Sequence, residues 1–117
     1  MKRGDVVIVD FPFTSGTQSK VRPALIVQND SDNRRLTKTI VAMITGNLRR
    51  AAEPTHFLVD PATAEGRVAG LNGPSLVTCI NLYTIDQTAI IRTIGHLPQS
   101  TMLMIETCLR AALGIKP

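Results

Sequence analysis

The chain has 117 residues, 44% of them apolar, and a formal charge of +4. That is the length of one ordinary domain, 1–117, with enough apolar content to bury a core, and it argues against disorder. No run reaches the ~18 uninterrupted apolar residues of a membrane helix, and the charged start Met1-Lys2-Arg3-Gly4-Asp5 lacks the apolar stretch of a signal peptide, so the expected location is the cytoplasm, with no membrane partner.

Residues 4–11, β-branched and apolar between Gly4 and Pro12, predict a first strand. Residues 12–21 are rich in hydroxyls and turn formers and predict a loop. Pro23 is expected to open the second strand, because proline is tolerated at a strand start, and it pushes Arg22 into an extended backbone. Residues 29–33 form a polar turn cluster. Residues 37–45 predict a third strand closed by Gly46-Asn47, and 55–59 a short fourth strand ended by Asp60-Pro61. Residues 60–74 read as a long loop, 75–82 as a fifth strand, and 87–94 as a sixth after a turn near Asp86.

Only the tail has helical periodicity. Over 99–113, Met102, Ile105, Leu109, Ala112 and Leu113 recur at three- and four-residue steps. Gly114 suits the position just past a helix end. One apolar stripe on a short helix must dock on the sheet to be stable. Many short strands followed by one helix predict a mainly β fold, a small curled antiparallel barrel with a C-terminal helix.

The charge is uneven. Residues 1–50 carry nine Lys/Arg against four acids, a balance of +5, whereas 51–117 carry four against five, a balance of −1. An excess of positive charge in loop-like segments suits a polyanion such as nucleic acid; it also suits simple solubility. Cys79 and Cys108 read as small buried apolar residues. His56 and His96 have no metal-ligand neighbours at a useful spacing, so no metal or other cofactor is expected. Arg49 and Arg50 read as solvated loop charges, and both histidines as structural.

Several enzyme classes drop out, because the chain has no GxxxxGKS/T, GxGxxG, CxxC pair, HExxH or GxSxG. What remains is a set of polar residues at strand ends. Arg22 has no acid within five residues on either side, Thr45 ends the third strand, and Thr14, Ser15, Gly16, Thr17 and Ser19 precede Arg22 in the loop. If the second and third strands are antiparallel neighbours, Arg22 and Thr45 face each other at one rim. An arginine fork binds phosphate bidentately, and a hydroxyl can donate or accept beside it. Such a set can cut RNA without metal, since the 2′-OH is an internal nucleophile: Arg22 would neutralise charge growing on the phosphoryl oxygens, and Thr45 would hydrogen-bond the phosphate or 2′-OH. From the residues alone, an ion pair of Arg22 with a remote acid such as Asp10 or Asp86 stays open, as does a backbone-bonding hydroxyl at Thr45. Tyr83 reads equally as a half-buried barrel residue or a base-stacking platform.

The run RGDVVIVDFPFTSGTQSKVRPALIVQND followed by TIVAMITGN resembles the MazF/PemK family of toxin endoribonucleases. That family opens with a Gly-Asp/Glu-Ile/Val strand, continues with Lys-x-Arg-Pro and an apolar strand, and has a later strand ending in hydroxyl residues. Asn72-Gly73-Pro74-Ser75-Leu76-Val77, Tyr83-Thr84-Ile85-Asp86 and Ile94-Gly95-His96-Leu97 fit the same order, so the resemblance spans essentially the whole chain. It implies an SH3-like barrel with a C-terminal helix, a homodimer, and ribosome-independent, metal-independent cleavage of single-stranded RNA to 2′,3′-cyclic phosphate and 5′-OH ends. It also implies a cognate antitoxin whose C-terminal segment blocks the RNA groove, and operator DNA bound by the toxin–antitoxin complex. Arg22 and Thr45 fall on the family's catalytic arginine and Ser/Thr, and residues 14–19 on the loop that covers the site, with Lys20 beside it. The chain departs from the family in one stretch: Ile80 stands at a usual acidic position and Tyr83 at a usual arginine. Asn81 and Tyr83 are then the candidate hydrogen-bonding substitutes. The alternatives are a catalytically silent module of the same fold that binds nucleic acid or antitoxin, and a gyrase-poisoning toxin of the CcdB type, which needs neither Arg22 nor Thr45.

Overall fold

The first strand follows directly from its residues: in the computed structural model, which describes residues 1–11 and 20–116, β1 (Asp5–Phe11) alternates and fills with valine as its sequence demands. The elements that follow are β2 (Lys20–Ile26), α1 (Asp30–Arg35), β3 (Lys38–Thr45), β4 (His56–Val59), α2 (Ala64–Arg67), β5 (Ser75–Asp86), β6 (Ile90–His96) and α3 (Gln99–Leu113). All strand pairings are antiparallel, in the order β4-β5-β3-β2-β1-β6. This is the mainly β architecture with a C-terminal helix that the sequence predicts.

The sheet is buried on both faces. One core gathers Val6, Leu25, Ala42, Ile44 and Val77 with Met102, Ile105 and Cys108 of α3. The other gathers Val7, Val9, Phe11, Ala24, Ile26 and Val41. A fully buried Ile105 contributes on the order of 1.5–3 kcal/mol from apolar burial. The helix keeps its expected bounds, and Gly114 takes the left-handed conformation (φ 69°) that ends it. Leu113, expected on the docked stripe, is instead exposed, because the buried stripe ends with Cys108 and the half-buried Leu109 and Ala112.

Further expectations need correction. Pro23 does not open β2 but lies inside it; pairing with β3 starts only at Ala24↔Met43, so the β3-facing edge is open at Pro23, where a missing N–H is tolerated. The turn cluster at 29–33 starts a short helix, α1, because the Asn29 side chain caps it by accepting from the Asp32 N–H (2.8 Å). Its buried Asn33 is held by Gln28 and Thr39 at 2.9 and 2.7 Å. The long loop at 60–74 contains one helical turn, α2. β5 runs on to Asp86, and a 3-10 turn over Gln87–Ala89 delays β6 to Ile90.

Candidate active site

β2 and β3 are antiparallel neighbours in the register Ala24↔Met43, Leu25↔Ala42, Ile26↔Val41. Continued by two residues, that register sets Arg22 opposite Thr45 at the rim of the sheet. Both residues line one cavity of about 470 Å³. Arg22 is exposed, and its guanidinium has no ion pair or hydrogen bond among the described residues. Neither acid considered as its partner holds it: Asp86 pairs with Lys38 (3.0 Å), and the buried Oδ1 of Asp10 has no hydrogen-bond partner among the described residues. Thr45 is half-buried, and its Oγ1 accepts the Asn47 N–H at 3.1 Å, so the hydroxyl proton remains available to a ligand.

Three arginines, Arg22, Arg49 and Arg50, line this cavity with His56, and no Asp or Glu is among the lining residues described. The local field therefore favours an anion. Arg50 is braced by Glu53 at 2.9 Å, whereas Arg49 makes no side-chain bond to a described residue. His56 is buried at the start of β4. Its Nδ1 lies 2.9 Å from Thr55 Oγ1 and 3.8 Å from Glu53 Oε1, and its carbonyl takes a long contact from Cys108 Sγ (3.6 Å) of α3. The terminal helix thus fixes the strand that carries the imidazole into the cavity.

Asn81 reaches the cavity through a local irregularity. Ala42 pairs with Leu82 but Met43 pairs with Thr78, so residues 79–81 of β5 have no partner on β3 and bulge. A bulge re-aims side chains: Asn81 Nδ2 donates to Thr78 Oγ1 (3.3 Å), which itself donates to the Met43 carbonyl (2.9 Å). Ile80 lines the same cavity, so an apolar side chain occupies the place where the resemblance expects an acid. Tyr83 lies beyond the bulge and goes elsewhere. It meets Phe11 edge-on, ring centroids 5.3 Å apart, and lines a separate cavity of about 240 Å³ with Lys38 and Asp86. Lys20 is exposed at the start of β2. Thr14, Ser15, Gly16, Thr17 and Ser19 lie outside the described residues.

The structure thus brings Arg22, Thr45 and Asn81 together and leaves Tyr83 apart. It adds Arg49, Arg50, His56 and Thr78, which sequence reasoning assigns to solvent or structure or passes over. A Thr-Gly-Asn-x-Arg-Arg run directly after a strand end was the available signal for the two arginines. The cysteines take no part: both are free and buried, and burial, with Cys108 nearby, pushes the Cys79 thiol up to about 12.

Residues 2–113 match the family described as PemK-like, MazF-like toxin of type II toxin-antitoxin system. The chain is 33% identical to Endoribonuclease EndoA of Bacillus subtilis over 116 residues, 98% of this chain and 96% of that protein. It superposes on an endoribonuclease in complex with its cognate antitoxin from a mycobacterial species with a TM-score of 0.78 at 25% identity, covering 100% of this chain and 98% of the other. It matches the Mycobacterium tuberculosis toxin MazF-mt6 with a TM-score of 0.79 at 29% identity, covering 97% and 99% of the two chains.

Proposed function

The chain belongs to the family of PemK-like, MazF-like toxins of type II toxin–antitoxin systems, and on that premise we propose that it is a metal- and ribosome-independent endoribonuclease that uses the Arg22–Thr45 cavity. The observation that carries the reading is the cavity itself: a guanidinium with no partner among the described residues and a strand-end hydroxyl line it together, with no acid among the described lining residues. The scissile phosphate sits against the Arg22 fork, which meets two phosphoryl oxygens and stabilises the charge that grows on them as the 2′-oxygen attacks. Thr45 donates to the phosphate or holds the 2′-OH. As the 2′-oxygen attacks it gives up its proton; the P–O2′ bond of the 2′,3′-cyclic phosphate forms, the P–O5′ bond breaks, and the leaving 5′-oxygen takes up one proton to become a 5′-OH, so the step is proton-neutral overall. Asn81, held by Thr78, offers an amide donor and acceptor to a base edge. His56 is the lining side chain of the type most often used to carry protons.

The partners follow the same reading. The substrate is single-stranded RNA, the regulator is a cognate antitoxin that covers the cavity, the working form is a homodimer, and the toxin–antitoxin complex binds its operator DNA. Residues 1–117 act as one toxin domain in the cytoplasm; among the described residues no helix is long and apolar enough to cross a membrane. The relatives named as endoribonucleases support this reading over a gyrase poison or a silent module.

The test is purified protein with long single-stranded RNA in EDTA, with product ends mapped. The expected outcome is discrete cuts that leave 2′,3′-cyclic phosphate and 5′-OH ends. Intact RNA, or cutting that requires an added divalent cation, would overturn the proposal.

A further inference from the structure

The Arg22 cavity does not stop at Gly46. A second cavity of about 370 Å³ shares Pro23 and Gly46 with it and continues between Ile8, the 70–75 turn and Arg92. Ile8 of β1 pairs with Pro23 on one side and with Arg92 of β6 on the other. Arg92 therefore stands two strands from Pro23, about 10 Å away at the usual spacing of ~4.8 Å per strand. Arg92 is exposed, and no hydrogen bond or ion pair joins its guanidinium to another described residue.

The wall of this second cleft is built rather than incidental. Gly70 (φ 75°) lies against the Ile94 carbonyl, and Gly95 lies against the backbone of Val68 and Ala69, so a Cβ at either position would strike main chain. The His96 N–H donates to the Val68 carbonyl at 2.9 Å. These contacts fix the 68–75 turn against β6 and hold the cleft open. At the junction the opposite holds: a Cβ on Gly46 would meet nothing within 4 Å among the described residues. Pro23 and Gly46 line both cavities, and Gly46 adds no side chain of its own where they meet.

We propose that single-stranded RNA held at Arg22 continues over Gly46 into this cleft, where Arg92 binds a neighbouring phosphate. The inference rests on the reading of the Arg22 cavity as an RNA site. Two guanidinia without partners among the described residues, in two adjoining clefts, match the repeating charge of a nucleic-acid backbone, whose recognition is sequence-independent and strongly salt-dependent. Arg92 is a positioning and affinity residue, remote from the bond that breaks.

The test is fluorescence anisotropy with labelled single-stranded RNA of random sequence, 2′-O-methylated so that it is not cut, lengthened one nucleotide at a time. For the native protein, affinity is expected to rise in a step at the length that first reaches the second cleft, and the salt dependence to steepen at that same length. Arg92→Ala removes the step and makes the slope of log K against log salt shallower by about 0.7 for each phosphate no longer neutralised; Arg92→Lys keeps most of both, because the charge remains. An unchanged step and slope in Arg92→Ala, or an Arg92→Ala effect confined to an acidic peptide with RNA binding unaltered, would overturn the proposal, as would the absence of any length step in the native protein. Cleavage of unmodified RNA, run in parallel, judges the nuclease reading separately: RNA that binds with the step but is not cut leaves the subsite standing and removes the nuclease.

Discussion

Continued two residues past the Ala24↔Met43 pair, the register of β2 and β3 sets Arg22 opposite Thr45, and the two residues line one cavity. Neither residue is near the other in sequence; the antiparallel neighbourhood of β2 and β3 brings both to one cavity. The guanidinium has no partner among the described residues, so its binding capacity is not spent on holding the fold together.

Removing that guanidinium is expected to reduce RNA cleavage more than stability. Arg22→Ala should lower the cleavage rate about 10²–10³-fold, the effect of deleting one donor to a developing oxyanion. Because the side chain is exposed and has no partner among the described residues, the fold should change by no more than about 0.5 kcal/mol in a denaturant titration. Arg22→Lys should recover only part of the rate, since an ammonium lacks the planar fork.

Thr45 separates hydroxyl chemistry from shape. Thr45→Val keeps the branched side chain but removes the oxygen that accepts the Asn47 N–H. A hydrogen bond to a charged group contributes roughly 1.5–3 kcal/mol, so single-turnover cleavage should fall about 10–100-fold. Thr45→Ser should retain most of the rate. Equal activity in the Val and Ser variants would remove the hydroxyl from the account.

The turn that walls the second cleft depends on two glycines. Gly70→Ala places a Cβ against the Ile94 carbonyl at a positive φ, and Gly95→Ala places one against Val68 and Ala69. Each should destabilise the protein by about 2 kcal/mol or more in urea unfolding. Gly46→Ala and Gly73→Ala meet no such obstruction and should leave the unfolding midpoint nearly in place.

The cysteines should be inert in the native protein. With both side chains buried and the Cys79 thiol pushed up to about 12, a thiol-specific reagent at neutral pH should label neither residue until the chain is unfolded. The linkage has a definite sign. An acid whose folded pKa is raised stays protonated while the unfolded thiol ionises near its ordinary value, so Cys79 favours unfolding progressively as pH rises above about 9. Rapid native-state labelling would contradict the packing of α3 on β4 and β5.

Much of this was legible in the sequence, and the misses have physical causes. The β-branched runs and the three-four periodicity of 99–113 mark β1, β3 and α3 because each depends on its own residues. The facing of Arg22 and Thr45 was legible once two neighbouring antiparallel strands were assumed. α1 was not, because its six residues are turn formers made helical by the Asn29 cap and by Asn33 bonding to Gln28 and Thr39, side chains outside the helix. The bulge over residues 79–81 was not legible either. It is a property of how β5 pairs with β3, and it alone sends Asn81 into the cavity while Tyr83 turns to Phe11. Arg49 and Arg50 read as solvated charges because their place at the cavity depends on where the segment after β3 folds back.

In the proposed reaction Arg22 stabilises charge on a phosphate attacked by its own neighbouring 2′-oxygen. The most direct measurement is cleavage of a synthetic RNA containing the mapped cut site, with and without a single 2′-deoxy substitution at the nucleotide whose 2′-OH attacks. The native protein in EDTA is expected to cut the all-ribose strand and to leave the substituted strand intact at that position while still binding it. Cutting of the substituted strand at the same bond would contradict the account.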